Sequence, residues 1–581
     1  MKPHLSTSLI LSSIGLCIIS AYASAASPEY SNGDASFSGT QITIGDLAQK
    51  NYNNYNELTF YSFYNQGSDT SGVEAHGGAF VISAGQLSIN DNGNTTFENN
   101  TVTSPRNHGK GGAIFCYSYQ SIIDVFKNDV IAFTNNQVKA SLPQGGAIYG
   151  GKINLHDNGQ VIFSDNQTKS YYTSTKYYKG IGGAICLYES NSATFSNNES
   201  VTFQNNRSAQ GGAVYARRDS RLKIQNNDSV SFVGNIVHEE TNSNVKGAAI
   251  YGRDSTIDIS NNNSVIFRNN AQIADDSIVL RSIYLEAVEQ GYGTPALTLT
   301  ANTGGEIMFY DSIYIGKNVP IVLNKDASGA IIFTGESTMD DFRNLFTTYA
   351  VPDTATPDYE ASRTSELLGT TTLYGGRVIV KEKAVLNISN LNVRGGEVIV
   401  ASEAQLNLAN KNITMPSLTL AGGTVTLGTE DNHTAALTTS DLTVTDNSTL
   451  NADLIIADNG SITFDFGGSD EKKLTMGCAV TLGNDYKVYL DHATITMLMG
   501  YENAEGITLM NDIENIRDIL LADNVRIYDT DTNEESDILL YTQTESNGTM
   551  SLKAVKATPE PATATLSLLA LAALAARRKR K

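Results

Sequence analysis

Apolar and polar positions alternate along most of this 581-residue chain, and the alternation is gathered into repeats. Period-two alternation predicts short strands with one buried and one solvated face. A Gly-Gly-Ala-apolar motif starts at Gly77, Gly111, Gly145, Gly182 and Gly211, with a degenerate copy, Gly247-Ala248-Ala249-Ile250. An apolar-x-apolar pair starts at Leu87, Ile123, Ile153, Ala193, Leu222 and Ile257. Ten residues after each pair begins comes the Phe of a Phe-x-x-Asn motif: Phe97, Phe133, Phe163, Phe203, Phe232 and Phe267. Each copy therefore predicts three strands. The first points Phe80, Ile114, Ile148, Ile185, Val214 and Ile250 inward, the second carries the apolar pair, and the third ends in the Phe.

Two asparagines stand eight residues apart in every copy. One set is Asn92, Asn128, Asn158, Asn198, Asn227 and Asn262; the other is Asn100, Asn136, Asn166, Asn206, Asn235 and Asn270. Asn tolerates left-handed backbone angles, and its amide can bond neighbours on both sides. Gly-Gly supplies backbone freedom where the chain turns into the first strand. No single repeat can bury its apolar face alone, so the copies are expected to stack as coils about 4.8 Å apart. The two sets then become structural Asn ladders, and the fold class is all-β, a parallel β-helix or β-solenoid with a short C-terminal cap and a sorting helix.

The division expected along the chain starts with a signal peptide (1–25) and an N-terminal cap region (26–70). The Gly-Gly-Ala and Phe-x-x-Asn repeats cover 71–335. An insertion or hinge (336–368) lacks the pattern and contains Pro352 and Pro357. A second solenoid segment with shorter coils covers 369–490, followed by a C-terminal cap region (491–556) with one helix expected over 511–522. Residues 557–581 complete the chain. The signal rests on Lys2, the apolar run Leu9 to Ile19, and the small residues around Ala21, Ala23 and Ala25.

The paired repeats resemble those of the chlamydial polymorphic outer-membrane proteins over residues 75–270. That resemblance implies a right-handed β-helix and a surface adhesin passenger. The family's passengers are followed by a translocating β-barrel, and no such segment is read here. The last residues instead resemble the PEP-CTERM sorting signal: Pro559-Glu560-Pro561, the apolar segment 562–576, and the basic run Arg577, Arg578, Lys579, Arg580 and Lys581. This second resemblance implies a transient membrane contact through a C-terminal transmembrane helix. It also implies an exosortase-type partner and display at the cell surface, outer membrane or extracellular matrix of a Gram-negative-type bacterium.

The formal net charge of −21 argues against a nucleic-acid partner. No nucleophile, phosphate-loop or metalloprotease motif occurs, so no catalytic residue, cofactor or metal site is expected. Asp529-x-Asp531-x-Asn533 opens like a calcium loop, but Glu534 and Leu540 stand where Gly and Glu are needed, and a hairpin turn is the better reading. The segments 101–110, 137–144, 167–181, 207–210 and 236–246 read as variable loops emerging along one edge. They hold eight Lys or Arg against two acids. The longest carries Lys169, Tyr171, Tyr172, Lys176, Tyr177, Tyr178 and Lys179, candidate contacts for an acidic glycan or exopolysaccharide. The expected role is adhesion or matrix and biofilm attachment. The alternatives are a carbohydrate-active β-helix enzyme (polysaccharide lyase or glycosidase) and a purely structural matrix protein.

Overall fold

The computed structural model describes residues 35–557, apart from 39–40, 46, 68–73, 172–179, 239–244, 275–276, 289–291, 337–355, 402, 429–434, 477, 501–505, 515 and 518–524. The expected signal peptide and residues 558–581 of the expected sorting signal lie outside the described residues. Among the described residues no helix is long and apolar enough to cross a membrane.

The chain winds into a parallel β-helix whose strands pair coil on coil. In its third wall one inward column passes unbroken from Phe37 through Phe60, Phe97, Phe133, Phe163, Phe203, Phe232, Phe267, Phe309, Phe333, Val380, Val400, Leu420, Val444 and Phe464 to Leu490. From Phe97 to Phe309 the rings stack at centroid spacings of 4.7–4.9 Å. That spacing is the interstrand distance itself, so the backbone ladder sets the ring stack. The first wall stacks Phe80, Ile114, Ile148, Ile185, Val214 and Ile250. The second stacks Leu87, Ile123, Ile153, Ala193, Leu222 and Ile257. Every one of these twelve is fully buried.

The two glycines of each repeat have different duties. The first takes a left-handed φ of 51–66° at Gly77, Gly111, Gly145, Gly182, Gly211 and Gly247. The second has no room for a side chain: a Cβ on Gly112 or Gly146 would lie 1.9 Å from the carbonyl oxygen of the next coil's glycine. Ala248 occupies the second position in the last copy, where the column of glycine pairs ends.

Over the first half the coils have four strands, not three. The segments expected as loops contain strands Thr101–Lys110, Gln137–Gln144, Gln167–Ser170, Arg207–Ser208 and Ile236–His238, paired parallel, with a register shift between Ser104 and His108. The first two run out and back, residues 101–104 pairing with 137–140 and 108–110 with 142–144. They build a flange with its own small core of Ala75, Val102, Val138 and Ala140. Its inward column passes from Val102 and Val138 to Thr168 and Ser208, so the apolar contrast of its alternation fades along the stack.

The flange ends at the expected insertion. Helix Tyr359–Arg363, capped by Asp358, packs on strand Ser277–Glu286, and Leu280 N donates to Ser362 Oγ at 2.9 Å. The helix thereby covers a sheet edge. Strand Thr364–Leu373 then rejoins the solenoid, starting inside the expected insertion (336–368) and running into the expected second solenoid segment.

At the C-terminal end, Ile507–Ile513, Glu535–Thr544 and Met550–Lys556 pair antiparallel and close the stack. The helix expected over 511–522 is not formed in its described part, which is strand through Ile513. Ile507, Leu509, Met510 and Ile513 are buried against the last coil instead. A helix forms at His492–Gly500, started by Asp491, whose Oδ1 accepts from Thr494 N at 2.9 Å.

Candidate functional site

The outgoing arm of the flange presents a flat polar face. Val102, Val138, Thr168 and Ser208 are buried beneath it. Between them Thr101, Gln137, Gln167 and Arg207 form one outward column, and Thr103, Lys139 and Lys169 form the next. Tyr64 and Gln66 extend the two columns by one coil, and Tyr64 is 57% exposed. Neither column contains a carboxylate, although acids outnumber bases in the chain.

Lys139 and Lys169 are exposed and occupy the same position on adjacent coils. Two lysines rooted one coil apart concentrate positive charge and favour an anion between or above them. Tyr171 is 40% exposed, with Lys139 Nζ 5.3 Å from its ring centroid. Tyr171 N donates to Ala140 O at 2.7 Å, which ties the ring to the flange. Tyr172, Lys176, Tyr177, Tyr178 and Lys179 lie outside the described residues.

The returning arm does a different job. Lys110 pairs with Glu74 at 3.3 Å, and Lys246 with Glu286 at 3.0 Å. Both lie against an outward aromatic column of the first wall that carries Phe115, Tyr149, Tyr215, Tyr251 and Tyr284, with Cys186 between Tyr149 and Tyr215. Lys110 Nζ is 5.4 Å from the Tyr149 ring centroid, and Lys246 Nζ is 4.7 Å from that of Tyr284. Burial raises the pKa values of Tyr149, Tyr215, Tyr251 and the Cys186 thiol, so these groups stay neutral. His76 stacks on Phe115 at 4.2 Å; burial first, and then the charge of Lys110, push it down to about 4. The seam joins flange to solenoid. Its sequence signal is the aromatic residue that follows the motif in four copies, at Phe115, Tyr149, Tyr215 and Tyr251.

The two asparagine sets form two buried columns. In the first, each Nδ2 donates to Oδ1 of the next coil's asparagine at 2.9–3.0 Å, from Asn92 through Asn128, Asn158, Asn198 and Asn227 to Asn262. The second runs from Asn100 through Asn136, Asn166, Asn206 and Asn235 to Asn270 in the same way. Backbone N–H groups donate to the same oxygens, as Asn158 N does to Asn198 Oδ1 at 3.0 Å. The left-handed residue is the one before each ladder Asn, not the Asn itself: Asp91, Lys127, Asp157, Asn197, Asn226 and Asn261 have φ of 55–57°. The ladder residue's backbone is thereby turned so that its amide points along the stack.

The model of the Chlamydia polymorphic membrane protein repeat matches residues 94–117 and 192–217. These windows contain Phe97, Asn100, Gly111 and Gly112, then Asn198, Phe203, Asn206, Gly211 and Gly212, the residues that build the columns above. The chain is 31% identical over 176 residues to a probable outer membrane protein pmp6 of Chlamydia pneumoniae, covering 29% of this chain and 13% of that protein. It is 26% identical over 210 residues to probable outer membrane protein pmp1 of the same organism, covering 34% and 21%. It is 31% identical over 142 residues to probable outer membrane protein PmpG of Chlamydia muridarum, covering 22% and 13%. The chain thus spans about an eighth to a fifth of the length of these relatives.

Proposed function

We propose that this chain is an exported, surface-displayed β-helical protein that acts in adhesion or matrix attachment rather than catalysis, and that it holds acidic glycans on the outer face of its flange. The similarity to outer-membrane proteins supports surface display. The single observation behind the glycan reading is the carboxylate-free face with Lys139 and Lys169 stacked beside Tyr171. A polyanion with sulfate or carboxylate groups repeated along its length meets a matching row of cations there, and the tyrosine offers a ring face to a sugar. Sorting by an exosortase-type enzyme through Pro559-Glu560-Pro561, the following apolar segment and Arg577 to Lys581 is part of the same proposal.

The test is retention of the full chain on heparin and polygalacturonate columns at low salt. Lys139→Glu/Lys169→Glu is expected to abolish retention while leaving circular dichroism unchanged, because both side chains are exposed. Retention of the wild type should fall with added salt, since the Debye length shortens to about 8 Å near 0.15 M. Equal retention of the double variant would remove the glycan reading and leave surface display standing.

A further inference from the structure

The hairpin turn that opens like a calcium loop gains a third partner from the fold. Strands Val525–Asp529 and Glu535–Thr544 pair antiparallel, so Asp529 and Asp531 sit at the turn of a hairpin. The first residue of helix His492–Gly500 lies directly against that turn. One ligand atom each from His492, Asp529 and Asp531 lies within 4.8 Å of the others. His492 Nδ1 is 2.8 Å from Asp529 Oδ2.

Both sides of the cluster are anchored. Asp491 Oδ2 accepts from Phe466 N at 2.8 Å and Thr494 Oγ1 at 2.6 Å, which fixes the helix start and with it His492. Asp529 is 7% exposed, and its Oδ1 accepts from Asp531 N at 2.8 Å, which leaves Oδ2 facing the imidazole. Tyr489 OH donates to Asn533 Oδ1 at 2.9 Å and holds the far side of the turn. His492 and Asp531 are exposed, so an ion has access from solvent.

We infer that His492, Asp529 and Asp531 form a binding site for a divalent transition cation of the zinc class at the C-terminal cap. An imidazole nitrogen with two carboxylate oxygens suits such an ion better than calcium, which takes six to eight oxygens. Metal–ligand bonds of about 2.0–2.2 Å at tetrahedral angles place ligand atoms roughly 3.3 Å apart. The imidazole and carboxylate at 2.8 Å need to separate by about half an ångström to admit the ion, within the reach of an exposed side chain. Remaining positions go to water. The ion clamps the cap hairpin to the helix beside it, and so ties down the end of the solenoid. The inference is independent of the flange and of glycan binding.

The test uses the chelator-stripped full chain, titrated with zinc chloride by calorimetry and with cobalt(II) by visible absorption. The seven histidines provide background sites, so the readout is a difference between variants. His492→Ala and Asp531→Ala, both at exposed positions, are each expected to lose one equivalent of bound metal or weaken it at least tenfold. Zinc should also slow hydrogen exchange across residues 535–544 in the wild type and in neither variant. Three outcomes would overturn the site: wild type and variants binding alike, no exchange protection by zinc, or calcium binding that survives His492→Ala. The first two would leave His492 and Asp529 as a hydrogen-bonded pair only.

Discussion

Asn270 donates from Nδ2 to Oδ2 of Asp311 at 2.8 Å, and with that bond the second asparagine column ends on a carboxylate. Every amide in the column donates one N–H to the next coil and the other to a Phe carbonyl of the coil before, while its oxygen accepts from the coil before, so the chain of side-chain donors ends at Asp311. A carboxylate at a helix N-terminus uses the same electrostatics. Asp311 also accepts from Asn270 N at 2.9 Å, Asn269 N at 2.8 Å and Ser282 Oγ at 2.8 Å.

Asp311 makes stability depend on pH. Complete burial pushes it up to about 6, against the pull of its donors. Its unfolded value is about 3.9, so the folded chain binds this proton more readily than the unfolded chain. The contribution is present below about pH 4 and is lost as pH rises through 6. In Asp311→Asn that component should vanish, so the unfolding free energy from urea titration should lose about 2 kcal/mol of the variation that the wild type shows between pH 4 and 6.5. The variant should also be less stable at pH 7, because an amide NH2 replaces one of the two carboxylate oxygens on which four donors from Asn269, Asn270 and Ser282 converge. An unchanged pH profile would refute the assignment.

Asn158→Ala should cost about 2–4 kcal/mol in equilibrium unfolding. The substitution removes the acceptor of Asn128 Nδ2 at 2.9 Å and the donor to Asn198 Oδ1 at 3.0 Å, both buried. Orphaned buried polar groups carry their full desolvation cost. A loss below about 0.5 kcal/mol would show that the column is decoration.

Gly146→Ala should destabilise the repeat array by more than about 3 kcal/mol, well beyond an ordinary Gly→Ala change. The added carbon meets Gly183 O at 1.9 Å and Gln167 N at 2.7 Å, so two backbones must move apart. Limited proteolysis should then cut near residues 137–181 at protease levels the wild type resists. Wild-type resistance in the variant would mean the coils can part at no cost.

Removing Arg577 to Lys581 tests the sorting proposal. Fractionation of expressing cells should find the truncated chain mislocalised and the full chain at the surface or in the matrix. Identical distributions would dismiss the tail as an address.

The repeats made most of the solenoid legible. Strands, inward residues and the two asparagine columns each recur at a fixed spacing, and stacking turns a recurring position into a column. Columns can therefore be written down from spacing alone. The flange was not legible as strand, because its buried column changes from Val102 and Val138 to Thr168 and Ser208 and so loses its apolar contrast partway along. Of the candidate glycan contacts, Lys169 and Tyr171 fall on the flange face, but the stacking of Lys139 on Lys169 depends on register across a coil.

Composition and spacing by themselves determined three walls of the coil, their register and their buried faces, because each coil repeats the same local conditions as its neighbour. Tertiary structure alone decided what happens where repetition stops. Asp311 ending a ladder, helix Tyr359–Arg363 covering the flange, and His492 meeting Asp529 across 37 residues are single events. They have no periodic signature, because they arise from chain segments that meet only once the stack exists.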